Sequence, residues 1–280
     1  MSKSLSRYFP LFVLPAFLAF IMGFVVPFVM GIYLSFCRFT TVTDATFTGF
    51  DNYRAALSDG DFLHSLWYTA LFTVLSVITV NVFAFSVALI LTKGIKGTNI
   101  FRTVFFMPNL IGGIVLGWIW QLILNGILGY FGVTLTFDPK YGFFGLLVLI
   151  NWQQIGYMMI IYIAGLQNIP EDVLEASRID GASKAKTLFR VKIPMVMPSI
   201  TICTFLTLTN SFKLFDQNLA LTNGMPSGKS EMLALNIYNT FYGRSGYEGV
   251  GQAKAVVFFV IVAVIVFLQL KITRRKEVQQ

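Results

Sequence analysis

Six apolar stretches of 18 to 26 residues constrain this chain more than any other feature: residues 11–36, 66–91, 103–124, 143–166, 199–221 and 253–270. An α-helix needs about 20 mostly apolar residues to cross the hydrocarbon of a bilayer, and irregular backbone exposed to lipid cannot satisfy its own polar groups. The pattern predicts an all-α integral membrane protein with six transmembrane helices and both termini on one side. With 56% hydrophobic and 12% charged residues, the 280-residue chain carries more apolar surface than a water-soluble fold could bury. The formal charge of +8 is spread between the apolar stretches and not gathered on one face, which excludes a nucleic-acid binder.

The distribution of Lys and Arg gives the topology. Fourteen lie on the side of the termini: Lys3, Arg7, Lys93, Lys96, Arg102, Arg178, Lys184, Lys186, Arg190, Lys192, Lys271, Arg274, Arg275 and Lys276. Six lie opposite, Arg38, Arg54, Lys140, Lys229, Arg244 and Lys254, interspersed with acids. The termini and the loop after the fourth span are therefore expected to be cytoplasmic. Lys254 and Lys271 flank the last span, where their stems are expected to snorkel to the interfaces.

That loop, residues 171–199, is the one sizeable charged interior segment. Pro170, Glu171 and Asp172 suit the first turn of a helix, where the missing donor is harmless and carboxylates face the positive end of the dipole. Gly181 turns the chain, and a second short helix is expected over residues 182–190. It carries Lys184, Lys186 and Arg190, with Leu188, Phe189, Val191 and Ile193 able to pack back, and stops before Pro194 and Pro198.

The spacing of Glu175-Ala176-Ser177, Gly181 and Val191-Lys192-Ile193-Pro194 resembles the EAA loop of bacterial ABC importer permeases. Ser177, Val191 and Ile193 are small or aliphatic replacements of the usual residues, while the Glu, Gly and Pro agree. The flanking Trp152-Gln153-Gln154 run, Gln167-Asn168-Ile169-Pro170 and Ile179-Asp180-Gly181-Ala182-Ser183 are similar to the carbohydrate-importer branch, of which the maltose transporter is the model. The resemblance implies the type I ABC importer permease fold, one permease domain over residues 1–280 with a coupling loop at 167–198. Within that loop Glu171, Glu175, Ala176, Ser177, Asp180, Gly181, Ala182 and Pro194 would dock on and form the corner against an ATPase. It further implies a bacterial cytoplasmic (inner) membrane location, a second sugar permease subunit, two ATPase subunits and an external substrate-binding protein. ATP and Mg would be held by the ATPase subunits and no cofactor by this chain, which is then a non-catalytic subunit importing an oligosaccharide or related sugar.

Amides lie inside the spans at Asn81, Gln121, Asn125, Asn151, Gln153 and Gln154, with Tyr157, Trp118 and Trp120 nearby. Such groups need partners or water; helix-to-helix bonding and a sugar path both fit them. In the fifth span, Asn210 to Asn218 contains Lys213 and Asp216, which in a continuous helix share a face and pair. This stretch resembles the family's S-F-x-x-F-D segment, followed by a T-x-G-G-P turn in which Met225 replaces the second Gly. Asn210, Lys213, Asp216, Asn218, Gln121 and Tyr157 are the candidate translocation path; for Asn210, Lys213, Asp216 and Asn218 a structural role fits equally.

The remaining motifs limit the alternatives. Gly49-Phe50-Asp51-Asn52-Tyr53 resembles an element of sugar permeases and reads either as a binding-protein contact or as a turn before an interfacial helix. His64 is the only histidine, so no metal site is expected. Cys37 and Cys203 suggest no disulfide framework. The first span is too long for a signal h-region and is expected to remain as an anchor. Gly224 to Ser230 falls one residue short of a phosphate-binding loop and follows no strand. A non-sugar ABC solute is the alternative reading. A gradient-driven transporter using Lys213 and Asp216 as a relay lacks the internal repeats usual for that class.

Overall fold

The computed structural model describes residues 13–274. Residues 11 and 12 of the first expected span, and Lys3, Arg7, Arg275 and Lys276 of the charge count, lie outside them. The chain forms two compact units, Met1–Phe62 with Ile237–Phe259, and Leu63–Asn236 with Val260–Gln280.

In the first unit a helix runs over Val13–Leu34 with none of its most apolar window buried, a surface suited to lipid. Phe20, Phe24 and Phe28 stack along it at the i, i+4 spacing that places side chains on one face. Beyond it Cys37–Arg38 pairs antiparallel with Thr46–Phe47. The Asp44 carboxylate accepts the N–H groups of Thr40 and Thr41, both at 2.9 Å, and these bonds hold its carboxyl below the usual carboxylate range. Gly49, at φ +64°, admits the chain to the Asp51–Ser58 helix. Asn52 then donates to the carbonyls of Ser35 and Cys37 at 3.0 and 2.8 Å, and the Tyr53 hydroxyl lies 2.6 Å from Ser35 Oγ. Of the two readings of this element, its Asn and Tyr serve the structural one.

The last helix starts at Glu248, five residues before the expected boundary, and this changes the place of Lys254. It does not snorkel. Its side chain is 0% exposed; Nζ lies 2.7 Å from Asp59 Oδ2 and 2.8 Å from Thr240 Oγ1, and 5.3 Å from the centre of the Phe62 ring. A charge this deep stays only where a carboxylate and hydrogen bonds replace water.

The second unit is built around the Pro139–Gln167 helix, apolar on all sides and buried along much of its length. One core joins Val80, Ala84 and Ala88 of the Gly60–Leu91 helix to Met158, Met159, Tyr162 and Ile163, with Val196 and Cys203. A second joins Tyr68 and Phe72 to Phe143, Leu146, Leu149 and Ile150, with Leu116, Leu214, Leu221 and Met232. Gly156 is where the backbone of Phe105 lies against the central helix; any Cβ there would run into the Phe105 carbonyl.

Among the described residues four helices are long and apolar enough to span a membrane, and up to six if each of two bent pairs is one span. The third expected span falls in the first pair; the second pair holds residues 199–212 of the fifth and, before them, the loop's second helix. Thr98–Leu110 and Gly113–Gly129 meet at 102°, Lys184–Met195 and Met197–Phe212 at 70°. Pro108 removes a helical donor just before Gly112 and Gly113, and Pro198 does the same at the second bend. The fifth span also ends at Phe212, and a separate Asp216–Leu221 helix follows.

Candidate functional site

Residues 171–195 fold into a helical hairpin. Pro170 precedes the Glu171–Ile179 helix, whose first turn carries Glu171 and Asp172 and whose last carries Arg178. The corner is a complete Schellman turn: Gly181 N–H reaches the Arg178 carbonyl, Ala182 N–H the Ser177 carbonyl, both at 3.0 Å, with Gly181 at φ +70°. Only a residue without Cβ adopts that conformation freely. Ser183 then caps the Lys184–Thr187 turn through the Lys186 N–H. The expected second helix over 182–190 begins at Lys184 and, instead of stopping before Pro194, runs on through a π turn at Leu188–Lys192 into Ile193–Met195, which holds Pro194.

Ser177 is buried and donates to the Leu174 carbonyl, while Glu171, Glu175, Ala176 and Asp180 are exposed. Ala182 and Pro194 are half-buried. Leu188, Val191 and Ile193 are half-buried, whereas Phe189 is 67% exposed and Ile179 is 81% exposed. Two large apolar side chains thus stand on the hairpin surface among acids that form no ion pair within the described residues.

A cavity of about 290 Å³ lies in the same unit, lined by Asn109, Gln153, Gln154, Asn210, Lys213, Leu214, Phe215, Asp216 and Gln217. It brings together three of the six expected path residues. The Lys213–Asp216 pair does not form. The helix stops at Phe212, so the two residues no longer share a helical face, and no ion pair joins them among the described residues. Both charges instead line the cavity. Asp216 is set by close packing of small residues, since a Cβ added at Gly113 would meet the Asp216 Cβ at 2.7 Å and one at Gly117 the Ala220 Cβ at 2.7 Å.

The other three expected path residues lie elsewhere. Asn218 is 1% exposed and holds the loop that follows its helix, donating to the Ser230 carbonyl at 2.8 Å and accepting from the Met232 N–H at 2.9 Å. Gln121 donates to the Leu221 carbonyl at 3.0 Å, and Tyr157 packs its ring 6.3 Å from that of Phe106. Asn81 and Asn151 join helices, to Tyr162 and Thr79, and Asn125 accepts from Leu135 N–H.

Four polar cavity residues were not among the six path candidates, although Gln153 and Gln154 are two of the amides noted inside the spans. Gln217 donates to Gln153 at 2.9 Å, and Gln153 donates to the Ile111 carbonyl at 3.4 Å. Gln154 is 6% exposed and its Oε1 has no partner among the described residues. Asn109, directly after Pro108 inside an apolar run, carried the sequence signal; its place beside Gln153 needed the bend. Amides, a cation and a carboxylate around one void suit a polyhydroxylated solute better than an apolar one.

Residues 55–278 match the model for the binding-protein-dependent transport system inner membrane component. A "Probable starch degradation products transport system permease protein" of Thermoanaerobacterium thermosulfurigenes is 41% identical over 279 residues, covering 96% of this chain and 94% of that one. A "Multiple sugar-binding transport system permease protein" of Streptococcus mutans is 29% identical, covering 91% of each. Among solved structures, a chain of a bacterial ABC transporter involved in the import of the acidic polysaccharide alginate has a TM-score of 0.82 at 19% identity, covering 98% of both chains, a likeness of fold. The chain belongs to the family of binding-protein-dependent transport system inner membrane components, the membrane permeases of ABC importers.

Proposed function

We propose that this chain is the permease of an importer for an oligosaccharide or related sugar, with the Asn109–Gln154–Asp216 cavity on its translocation path. The observation that carries the reading is the cavity, which Lys213 and Asp216, in no ion pair among the described residues, line together with the amides of Asn109, Gln153, Gln154, Asn210 and Gln217. At about 30 Å³ per water-sized group, it has room for roughly one sugar ring. The substrates in the relatives' names agree with a carbohydrate.

In this reading each bent pair supplies one span, making six, with the Lys184–Met195 arm of the second pair left in the hairpin, and residues 1–280 act as one permease domain. The termini and the hairpin face the cytoplasm, where Ile179, Phe189 and Glu175 dock on an ATPase subunit and Gly181 sets the corner. A second permease of similar size, two ATPase subunits holding ATP and Mg, and an external binding protein complete the importer. Gentle extraction from the native membrane followed by mass spectrometry tests the assembly: a second permease and an ATPase should co-purify, and a chain that emerges alone or as a homodimer overturns it. ATP-dependent uptake of labelled maltooligosaccharide into vesicles tests the solute class. Uptake of amino acids with no sugar uptake would contradict it.

A further inference from the structure

A second cavity, of about 710 Å³, separates the end of the Gly60–Leu91 helix from the hairpin. Its lining divides cleanly by chemistry. Lys93, Arg178, Lys184 and Lys192 supply four cations, Leu89, Leu174 and Leu188 supply an apolar floor, Ala182 and Thr187 complete it, and no carboxylate is present. Among the described residues none of the four cations takes part in an ion pair, although Glu171, Asp172, Glu175 and Asp180 lie on or next to the same short helix as Arg178. Four like charges around one void repel each other unless an anion sits among them. Leu89 belongs to the last turn of a 32-residue apolar helix, and Lys93 follows its end, so the cavity lies where that helix leaves the hydrocarbon. Ile179 and Phe189, the exposed apolar residues of the hairpin, do not line it.

We infer that this cavity binds the head group of an anionic phospholipid, with the phosphodiester among the four cations and the start of the acyl chains on Leu89, Leu174 and Leu188. A soluble anion explains the cations but not the apolar floor, and a zwitterionic lipid brings a choline into an already cationic site. A lipid so placed touches both a span and the hairpin, giving bilayer composition a direct hold on the hairpin's position. Its assignment to the cytoplasmic leaflet rests on the orientation proposed above; the site itself does not.

The test is native mass spectrometry of the assembled transporter, delipidated and re-supplied with phosphatidylglycerol or phosphatidylcholine. The wild type should retain phosphatidylglycerol selectively, and Lys93→Gln with Lys192→Gln should weaken that retention by about tenfold or more. Arg178→Gln with Lys184→Gln provides a second variant should the first fail to assemble. Equal retention of both lipids, equal retention by wild type and variants, or displacement by millimolar inorganic phosphate overturns the proposal, the last in favour of a soluble anion. A transporter that imports sugar but shows no lipid selectivity sinks this inference and leaves the importer reading standing. Selective lipid binding by a chain that imports no sugar does the reverse.

Discussion

Two lysine and aspartate combinations within apolar surroundings meet opposite fates. Lys254 and Asp59, 195 residues apart, close on each other at 2.7 Å with Thr240 and Phe62 around them. Lys213 and Asp216, three apart, form no ion pair because the helix that would have aligned them ends at Phe212. The first arrangement has both charges answered by protein and belongs to the framework. The second leaves both lining a void. Closeness in sequence is thus a poor guide to pairing in a broken span, and the open charges are where a solute would be handled.

Asp59→Ala should give the largest effect, because it leaves Lys254 buried without its carboxylate: a loss of about 3–5 kcal/mol, read as a lower unfolding temperature or as failure to accumulate. Replacing both, Asp59→Leu with Lys254→Met, should recover most of it. The Asp59 carboxyl also carries a pH signature. Burial pushes it up, but the Lys254 bond and charge and the Asp61 and Phe62 N–H groups outweigh that and hold it below the usual range. A depressed carboxylate adds stability above its unfolded pKa, about 3.9, which is lost as pH falls through the lower folded value. Acid unfolding of the wild type should therefore show a component below about pH 4 that the Leu/Met variant lacks.

Asn218→Ala should come next, at about 1–3 kcal/mol, since it orphans the Ser230 carbonyl and the Met232 N–H in a buried place. Gly181→Val forces a β-branched residue to φ +70° and should cost about 1–2 kcal/mol, confined to the hairpin. Its readout is ATP hydrolysis that continues without uptake; normal uptake would remove Gly181 from the coupling reading. Smallest is Arg54→Ala, which breaks an exposed pair with Asp51 and should change the unfolding free energy by less than about 0.5 kcal/mol.

What was readable in the sequence was local. The apolar runs located the spans because a bilayer fixes their length, and the hairpin corner was readable because Gly181 and its neighbours within five residues make every bond of the Schellman turn. Pro108 and Gly112-Gly113 marked a break in retrospect, but the periodicity of the surrounding residues hid it. The roles of the amides were not readable, because each depends on which distant atom it meets. Asn218 finds the loop at Ser230 and Gln121 finds Leu221, while the Gln154 Oε1 finds no partner among the described residues. Lys254 was misplaced for the same reason, its partner lying 195 residues away.

The measurement that tests the central claim most directly pairs transport with stability for Lys213→Gln and Asp216→Asn in reconstituted vesicles. The account predicts unfolding within about 0.5 kcal/mol of wild type, as for side chains whose charges have no protein partner, with sugar uptake reduced about tenfold or more. If instead both variants unfold early, and uptake falls only in proportion to the folded protein remaining, the two charges belong to the framework like Lys254 and Asp59, and the cavity loses its claim to the translocation path.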